Sequence, residues 1–476
     1  MVRIMIIDDS LTAADLKASL VRLFEVAGKK ARILDNAWDP KNGTPVFTVE
    51  GKYTTRGWTE WTQGFQYGWP ILVFDVTGER ALLDLGRNNT VKQMAPHVTH
   101  IGVHDHGFNN LSTYGNLRRL MLEGRIERNE WELAFYEMAL KASGAVQAAR
   151  WSGTHPVPES KHTAGAPALG YVYSFNGPHS LFVDTMRTVR ILGVAWQLGH
   201  KLMHENDKAA DLLKRSVLHG LTTSQHVIFH GEGTHAYDVR GRTAHEAIFN
   251  RNDGNFRCRS TQQGYSPFST WTRGLAWAML GYAEELEFFA TIDDAAFKAS
   301  VGLSKADVVT AYEEAARATC DHYIDDCAAA DGITYWDDGA PNLHKLGDWR
   351  SRPAEPFNEH EPVDSSASAI GAQGLLRLGR YLGVGTGNRY IKAGLAVSKT
   401  LLSDAYLSMD ESHQGLLLHS IYHRPNGWDH VPAGRKVPAG ESSRWGDYHL
   451  LELGVYLHRI NDTDQPYLTF YDQKKA

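Results

Sequence analysis

Two aspartates stand at positions where a buried carboxylate needs a reason. Asp184 opens a long apolar run, Leu181-Phe182-Val183-Asp184-Thr185-Met186-Arg187-Thr188-Val189-Arg190, and Asp105 sits in His104-Asp105-His106-Gly107-Phe108 at the mouth of another. An Asp in a first turn can cap free N–H groups and answer the helix dipole, or it can move protons. Four further stretches repeat the pattern of polar residues opening an apolar helix: Trp61-Thr62-Gln63-Gly64-Phe65, Trp271-Thr272-Arg273-Gly274-Leu275-Ala276-Trp277, Asp364-Ser365-Ser366-Ala367-Ser368-Ala369-Ile370 and Arg444-Trp445-Gly446-Asp447-Tyr448. Recurrence of this kind points to polar groups aimed at one shared centre. Thirteen Trp and twenty Tyr supply rings of the sort that sugar-binding clefts use for stacking, although core packing accounts for most tryptophans in any chain.

Metal chemistry is the weaker reading. His97, His100, His104 and His106 are close in sequence, but they lack the i, i+4 pair with an intervening Glu that a zinc-binding helix presents. Asp105 explains that tract better. Cys258, Cys320 and Cys327 form no metal or disulfide framework by spacing, which fits a reducing compartment.

The elements that must position these groups follow a period. Amphipathic helices are expected over about 11–28, 80–93, 127–148, 206–223, 304–328 and 388–402. Apolar ones are expected from the polar openings to about Val76, Glu123, Leu202 and Leu286, with two more starting at Asp364 and Arg444. Residues 36–58 read as an entry loop with a short strand at Val46-Phe47-Thr48-Val49. The stretches 152–180, 227–269 (with hairpins) and 332–364 read as long loops. Six helix pairs, each with one helix facing inward, can close into a ring, an (α/α)6 barrel whose inner-helix openings and long loops share one cleft. On this reading residues 1–476 form one domain, with a less typical segment at about 1–58.

Composition narrows the partners. A net charge of −6 with no basic stripe argues against nucleic acid. No run reaches membrane-spanning length, and the start is too short in apolar residues for a signal peptide, so a cytoplasmic protein is expected. Oligomeric state is left open.

Taken in order, the motifs above, together with Gln263-Gly264-Tyr265, resemble the unsaturated glucuronyl hydrolases, glycoside hydrolase family 88. The likeness runs from about Trp61 to the C-terminus and includes the separation of Gln263 from Arg273. It implies the same (α/α)6 barrel, no cofactor and no metal. The implied substrate is an oligosaccharide bearing a non-reducing-end Δ4,5-unsaturated uronic acid, the product of a polysaccharide lyase. Its C4=C5 bond is a vinyl ether, so protonating C4 leaves a cation at C5 that the ring oxygen stabilises. Water adds, the hemiketal opens and the aglycone is lost, outside the usual two-carboxylate scheme.

Residue by residue, the resemblance assigns the proton transfer to Asp184, with Asp105 as the second essential carboxylate holding Asp184 protonated. His235 and Gln263 would contact the unsaturated sugar or its water, and Arg273 its polar groups. Trp61 and Trp277 would be stacking walls, and His104 would orient its neighbour. Where the family often carries a tryptophan in the loop before the catalytic aspartate, this chain has Phe175-Asn176-Gly177. An unsaturated rhamnogalacturonyl hydrolase shares the barrel and chemistry. A conventional inverting glycosidase or sugar epimerase shares the barrel alone, and a non-catalytic glycan-binding protein would have no need of two cleft aspartates.

Overall fold

The computed structural model describes residues 5–57, 60–154, 169–233, 235–463 and 470–471, so expectations touching 1–4, 58 and 155–168 lie outside the described residues. Six inner helices are Gln63–Thr77, the continuous run His106–Asn110, Leu111–Gly115 and Asn116–Leu122, the pair Thr185–Thr188 and Arg190–Gln197, then Thr272–Ala290, Ser365–Leu382 and Arg444–Thr463. Six outer helices alternate with them: Lys17–Ala37, Arg80–Gln93, Glu130–Ala149, Leu212–His226, Lys305–His322 and Asn388–Leu401. Each inner helix packs on the next, and the last packs back on the first. The ring is therefore closed as an (α/α)6 barrel, and the apolar helices are its lining.

Helix openings sit about where the sequence motifs predict them, with shifts of a few residues. Larger departures have local causes. The first helix begins at Lys17 and runs on to Ala37, because its buried stripe extends past Gly28 through Ala31 and Leu34. The helix expected over 183–202 is two pieces and ends at Gln197, ahead of Gly199 in the left-handed region at φ +76°. Strands take up the loop ends. Ser180–Phe182 pairs antiparallel with Glu246–Phe249, which also pairs with Phe256–Ser260, in the register Leu181↔Ala247 and Phe182↔Glu246. The expected strand near Val46 is Phe47–Val49, paired with Lys52–Thr54.

Close contact between inner helices depends on residues without side chains. A Cβ on Gly107 would lie 2.1 Å from the Thr188 carbonyl oxygen, and one on Gly281 would lie 2.5 Å from that of Met186. The helix that carries Asp184 is thus gripped on both sides by glycines.

Charges also lie along the barrel interior. The Arg187 guanidinium donates to Glu284 and, at 2.7 Å, to Glu452; Arg190 reaches Glu284 at 3.4 Å, and Arg377 lies 3.6 Å from Glu284 and 2.5 Å from Glu287. Arg187, Glu284 and Glu452 are essentially inaccessible to water. Removing one partner of such a network leaves an uncompensated buried charge. Arg187→Met should therefore lower the unfolding free energy by about 3–5 kcal/mol, seen as an earlier urea midpoint; an unchanged midpoint would mean that Glu452 is not held by Arg187.

Candidate active site

The inner-helix openings and the loops around them enclose a cleft of about 700 Å³, part of it open to solvent. Neither aspartate caps its helix: Asp105 and Asp184 occupy N-cap positions, yet their side chains make no capping bond. They turn instead to His104. Its Nε2 lies 3.3 Å from Asp184 Oδ1 and 3.9 Å from Asp105 Oδ1, and all three groups line the cleft. Thr188 Oγ1 donates to the His104 carbonyl at 2.8 Å, which fixes the histidine loop to the Asp184 helix. Arg150 fastens the opposite side by donating to the carbonyls of Ile101, Tyr173 and Ser174.

Burial and charge distribute the protons among the three. Burial pushes the His104 imidazole down, but the Asp105 charge, the hydrogen bond to Asp184 and the Asp184 charge outweigh it and hold the imidazolium above its ordinary range. Burial also pushes Asp184 up, and here the His104 hydrogen bond and charge, helped by His245 and Arg273, prevail and hold its carboxyl below the usual value. Asp105 goes the other way, raised by burial and by the Asp184 charge against the pull of His104. This corrects the expectation of an Asp184 held protonated by Asp105. The physical reason is the hydrogen bond: His104 sits closer to Asp184 than to Asp105, so Asp184 keeps the negative charge.

Gln263 and Arg273 come together. Arg273 Nη2 donates to Gln263 Oε1 at 3.1 Å and to the Tyr422 carbonyl at 2.6 Å, while Nη1 donates to Asp364 at 2.7 Å and to the Ile421 carbonyl. Asp364 in turn caps its own helix at Ser366 and Ala367. Arg273 is thus paired to a carboxylate and also lines the cleft. Trp61 stacks on Trp445 at 5.0 Å, Trp277 packs on Phe108 at 4.7 Å, and both line the cleft. Trp277 is almost fully buried, whereas Trp61 is half-buried.

His235 is not part of the site. It is exposed, stacks on Tyr237 at 4.9 Å and lies outside the residues that line the cleft. Sequence reasoning missed His245, which is buried beside the start of the Asp184 helix and, like His235, is not among the residues that line the cleft. Strand pairing places His245 there, because Val183 N–H donates to the His245 carbonyl at 3.0 Å, one residue before Asp184. Its Nδ1 accepts from Gln262 N–H at 2.9 Å, and its ring packs at 4.3 Å on Phe182 and 4.9 Å on Trp271. Burial drives its titration down to about 3, so it is a neutral ring with Nε2 buried and without a protein partner. The alternation from Thr243 to Ala247 was the signal that could have found it. The lining residues Tyr422, His423 and Trp428 were likewise not assigned to the cleft from sequence.

The histidines suspected of metal binding are otherwise engaged. His97 shares a hydrogen bond with Gln63 at 2.6 Å, and His106 contacts Ser143 at 2.9 Å and the His100 carbonyl at 2.9 Å.

No family model matches the chain. Among curated proteins it is 24% identical over 418 residues to the unsaturated glucuronyl hydrolase of Bacillus sp. (strain GL1), covering 86% of this chain and 89% of that one. It is also 23% identical over 448 residues to an unsaturated chondroitin disaccharide hydrolase of Streptococcus pyogenes serotype M1, covering 94% and 92%. The crystal structure of the Bacillus sp. GL1 enzyme superposes with a TM-score of 0.66 at 21% identity, over 96% of this chain and all of that one. Over most of its length the chain is thus similar to unsaturated glucuronyl hydrolases in sequence and in fold. An Asp-to-Asn variant of an unsaturated glucuronyl hydrolase, solved with dGlcA-Glc-Rha-Glc, superposes with a TM-score of 0.65 at 22% identity, over 94% and 98%. Phe175 stacks on His104 at 5.9 Å with the rings 25° apart. Among the described residues, no helix is long and apolar enough to cross a membrane.

Asp105 supplies the largest upward pull on the His104 imidazolium. In Asp105→Asn the His104 ring should therefore lose its proton at a lower pH than in the parent chain, as read by NMR titration of labelled histidine. An unmoved titration would show that Asp184 alone sustains the charge.

Proposed function

We propose that this chain removes a non-reducing-end Δ4,5-unsaturated glucuronic acid from lyase-generated oligosaccharides by hydrating its C4=C5 vinyl ether. The observation that carries the reading is the His104–Asp184 pair at 3.3 Å, a proton donor and acceptor held together in a cleft walled by tryptophan. An ordinary glycosidase needs two carboxylates on opposite faces of a scissile bond. Here both aspartates share one histidine, which suits delivery of a single proton to one place.

The proton starts on His104 and must reach Asp184. A sugar ring that fills the cleft expels water, and drying disfavours an ion pair relative to its neutral form. The His104 Nε2–H then passes to Asp184 Oδ1. Asp184 protonates C4, and the ring oxygen shares its electrons with the cation at C5. Water adds to C5 and gives its proton to the Asp184 carboxylate. The resulting hemiketal opens, the aglycone leaves C1, and the net change is addition of one water with cleavage of the glycosidic bond. Gln263, held by Arg273 at 3.1 Å, lines the cleft and donates its amide N–H to the sugar or the attacking water.

Ultraviolet absorbance of the conjugated C4=C5–carboxylate follows the reaction directly. Unsaturated glucuronyl disaccharides should lose absorbance, and Asp184→Asn should slow the loss by at least about 10³-fold without moving the melting temperature by more than a few degrees. Retained turnover in that variant would remove Asp184 from the chemistry. Loss confined to unsaturated galacturonyl substrates would assign the chain to the rhamnogalacturonyl branch, and no loss on any of them would leave a glycan-binding barrel.

The pair needs its proton, so kcat/KM should fall on the alkaline side as pH rises through the elevated His104 value. A profile that is flat there would show that the proton comes from elsewhere.

A further inference from the structure

Behind the cleft wall lies a second cluster that the proposed chemistry does not use. His322 Nε2, Cys327 Sγ and Asp338 Oδ2 all fall within 4.8 Å of one another, the one such group of three metal-ligating side chains among the described residues. Nε2 is 3.2 Å and Sγ 3.9 Å from the same Asp338 oxygen. His322 and Cys327 are buried, and the Asp338 side chain is 4% exposed.

The backbone assembles this cluster in a way that spacing alone does not reveal. His322 is the last residue of the outer helix Lys305–His322, and Tyr323–Cys327 continues as a single π turn. In an α-helix, side chains five apart diverge by about 140°. The wider π turn brings Cys327 back beside His322, a device that recurs at functional sites. Asp338 arrives from the loop and is clamped to Thr270: its Oδ1 accepts from Thr270 N–H at 2.7 Å, and its own N–H donates to the Thr270 carbonyl at 3.0 Å. With Oδ1 engaged, Oδ2 faces the histidine.

A fourth residue completes the pattern. Asp326 Oδ2 lies 3.0 Å from His322 Nδ1. A carboxylate on the far nitrogen is the partner that metal-bound histidines carry, because it fixes the ring and the tautomer that offers Nε2 to the ion.

We propose that His322 Nε2, Cys327 Sγ and Asp338 Oδ2 bind a structural zinc ion, with Asp326 orienting His322. A nitrogen, a thiolate sulfur and a carboxylate oxygen form a borderline-soft donor set that suits zinc over magnesium or calcium. Tetrahedral zinc with bonds of about 2.0–2.3 Å sets neighbouring ligand atoms roughly 3.3–3.6 Å apart, and the observed 3.2 and 3.9 Å lie on either side of that span. Water fills the fourth position. Zinc would take Nε2 from its present contact with Thr270 Oγ1 at 3.1 Å and would displace the Cys327 thiol proton, so uptake is coupled to pH.

The ion would brace the cleft. Asp337, beside Asp338, bridges to Trp271 and accepts from Tyr265 N–H at 2.8 Å. Tying Asp338 to the outer helix therefore holds both the Trp271 wall and the loop that carries Gln263.

The test is titration of the full chain, stripped by chelator, with cobalt(II) as a coloured substitute for zinc and then with zinc itself. One equivalent of cobalt should give a near-ultraviolet thiolate-to-cobalt charge-transfer band that zinc abolishes. The band should vanish in Cys327→Ser and persist in Cys258→Ser, whose thiol is exposed. Asp326→Asn, a change at a partly exposed carboxylate, should weaken zinc binding about 10–100-fold while leaving the fold intact. Zinc should also raise the melting temperature of the parent chain and not that of Cys327→Ser. The proposal is overturned if no charge-transfer band develops, if the band survives Cys327→Ser, or if His322 stays a doubly protonated imidazolium by NMR with zinc in excess. Those results would leave the cluster as a histidine clamped between two carboxylates.

Discussion

Everything about this barrel depends on closing a ring of inner helices around charges that water cannot reach. Arg187 cannot be buried alone, because an isolated guanidinium in an apolar core costs several kcal/mol. It becomes tolerable only when Glu284 and Glu452 arrive from two other inner helices, and Glu284 in turn engages Arg190 and Arg377. The network therefore spans four of the six inner helices and is satisfied only when all four hold their places. Hydrophobic packing would accept many registers of one helix on the next, whereas a closed set of ion pairs accepts few. The same helices carry Asp184, Arg273, Ser365 and Trp445 at their openings, so the register fixed at the interior is passed to the cleft.

At the cleft itself the governing quantity is where one proton resides. Asp105 and Asp184 are chemically identical and both lie at helix mouths, yet their surroundings push them apart. The difference comes from His104, which hydrogen-bonds one and only faces the other. Separation of titratable groups by environment is the general way a site makes an acid and a base from the same side chain. It also makes the empty cleft and the filled cleft different chemical objects, since the ion pair that is stable in contact with water is the one that drying destabilises.

Much of the architecture was legible in the chain. The alternation of apolar and amphipathic helices follows from local periodicity, and a helix that is apolar on several faces has to be interior. Polar residues opening such helices are few enough to be noticed, which is why Asp105, Asp184 and Arg273 could be singled out. His235 shows the limit. It and His245 lie in the same irregular stretch, and the choice between them rests on the antiparallel pairing of Ser180–Phe182 with Glu246–Phe249. Pairing of that kind links segments more than sixty residues apart, and nothing local to either segment specifies it.

Sequence alone determined which helices face inward, where their polar openings fall and which residue types gather there, because those depend on side chains near in the chain. Tertiary structure alone decided that the Asp184 carboxyl is held below its ordinary range and the Asp105 carboxyl above it, that His245 rather than His235 packs beside the Asp184 segment, that Arg273 is shared between Asp364 and Gln263, and that Cys327 lies beside His322 and Asp338. Hydrogen bonding, desolvation and Coulombic attraction act over a few ångströms of space, and the groups that set them come from elements far apart along the chain.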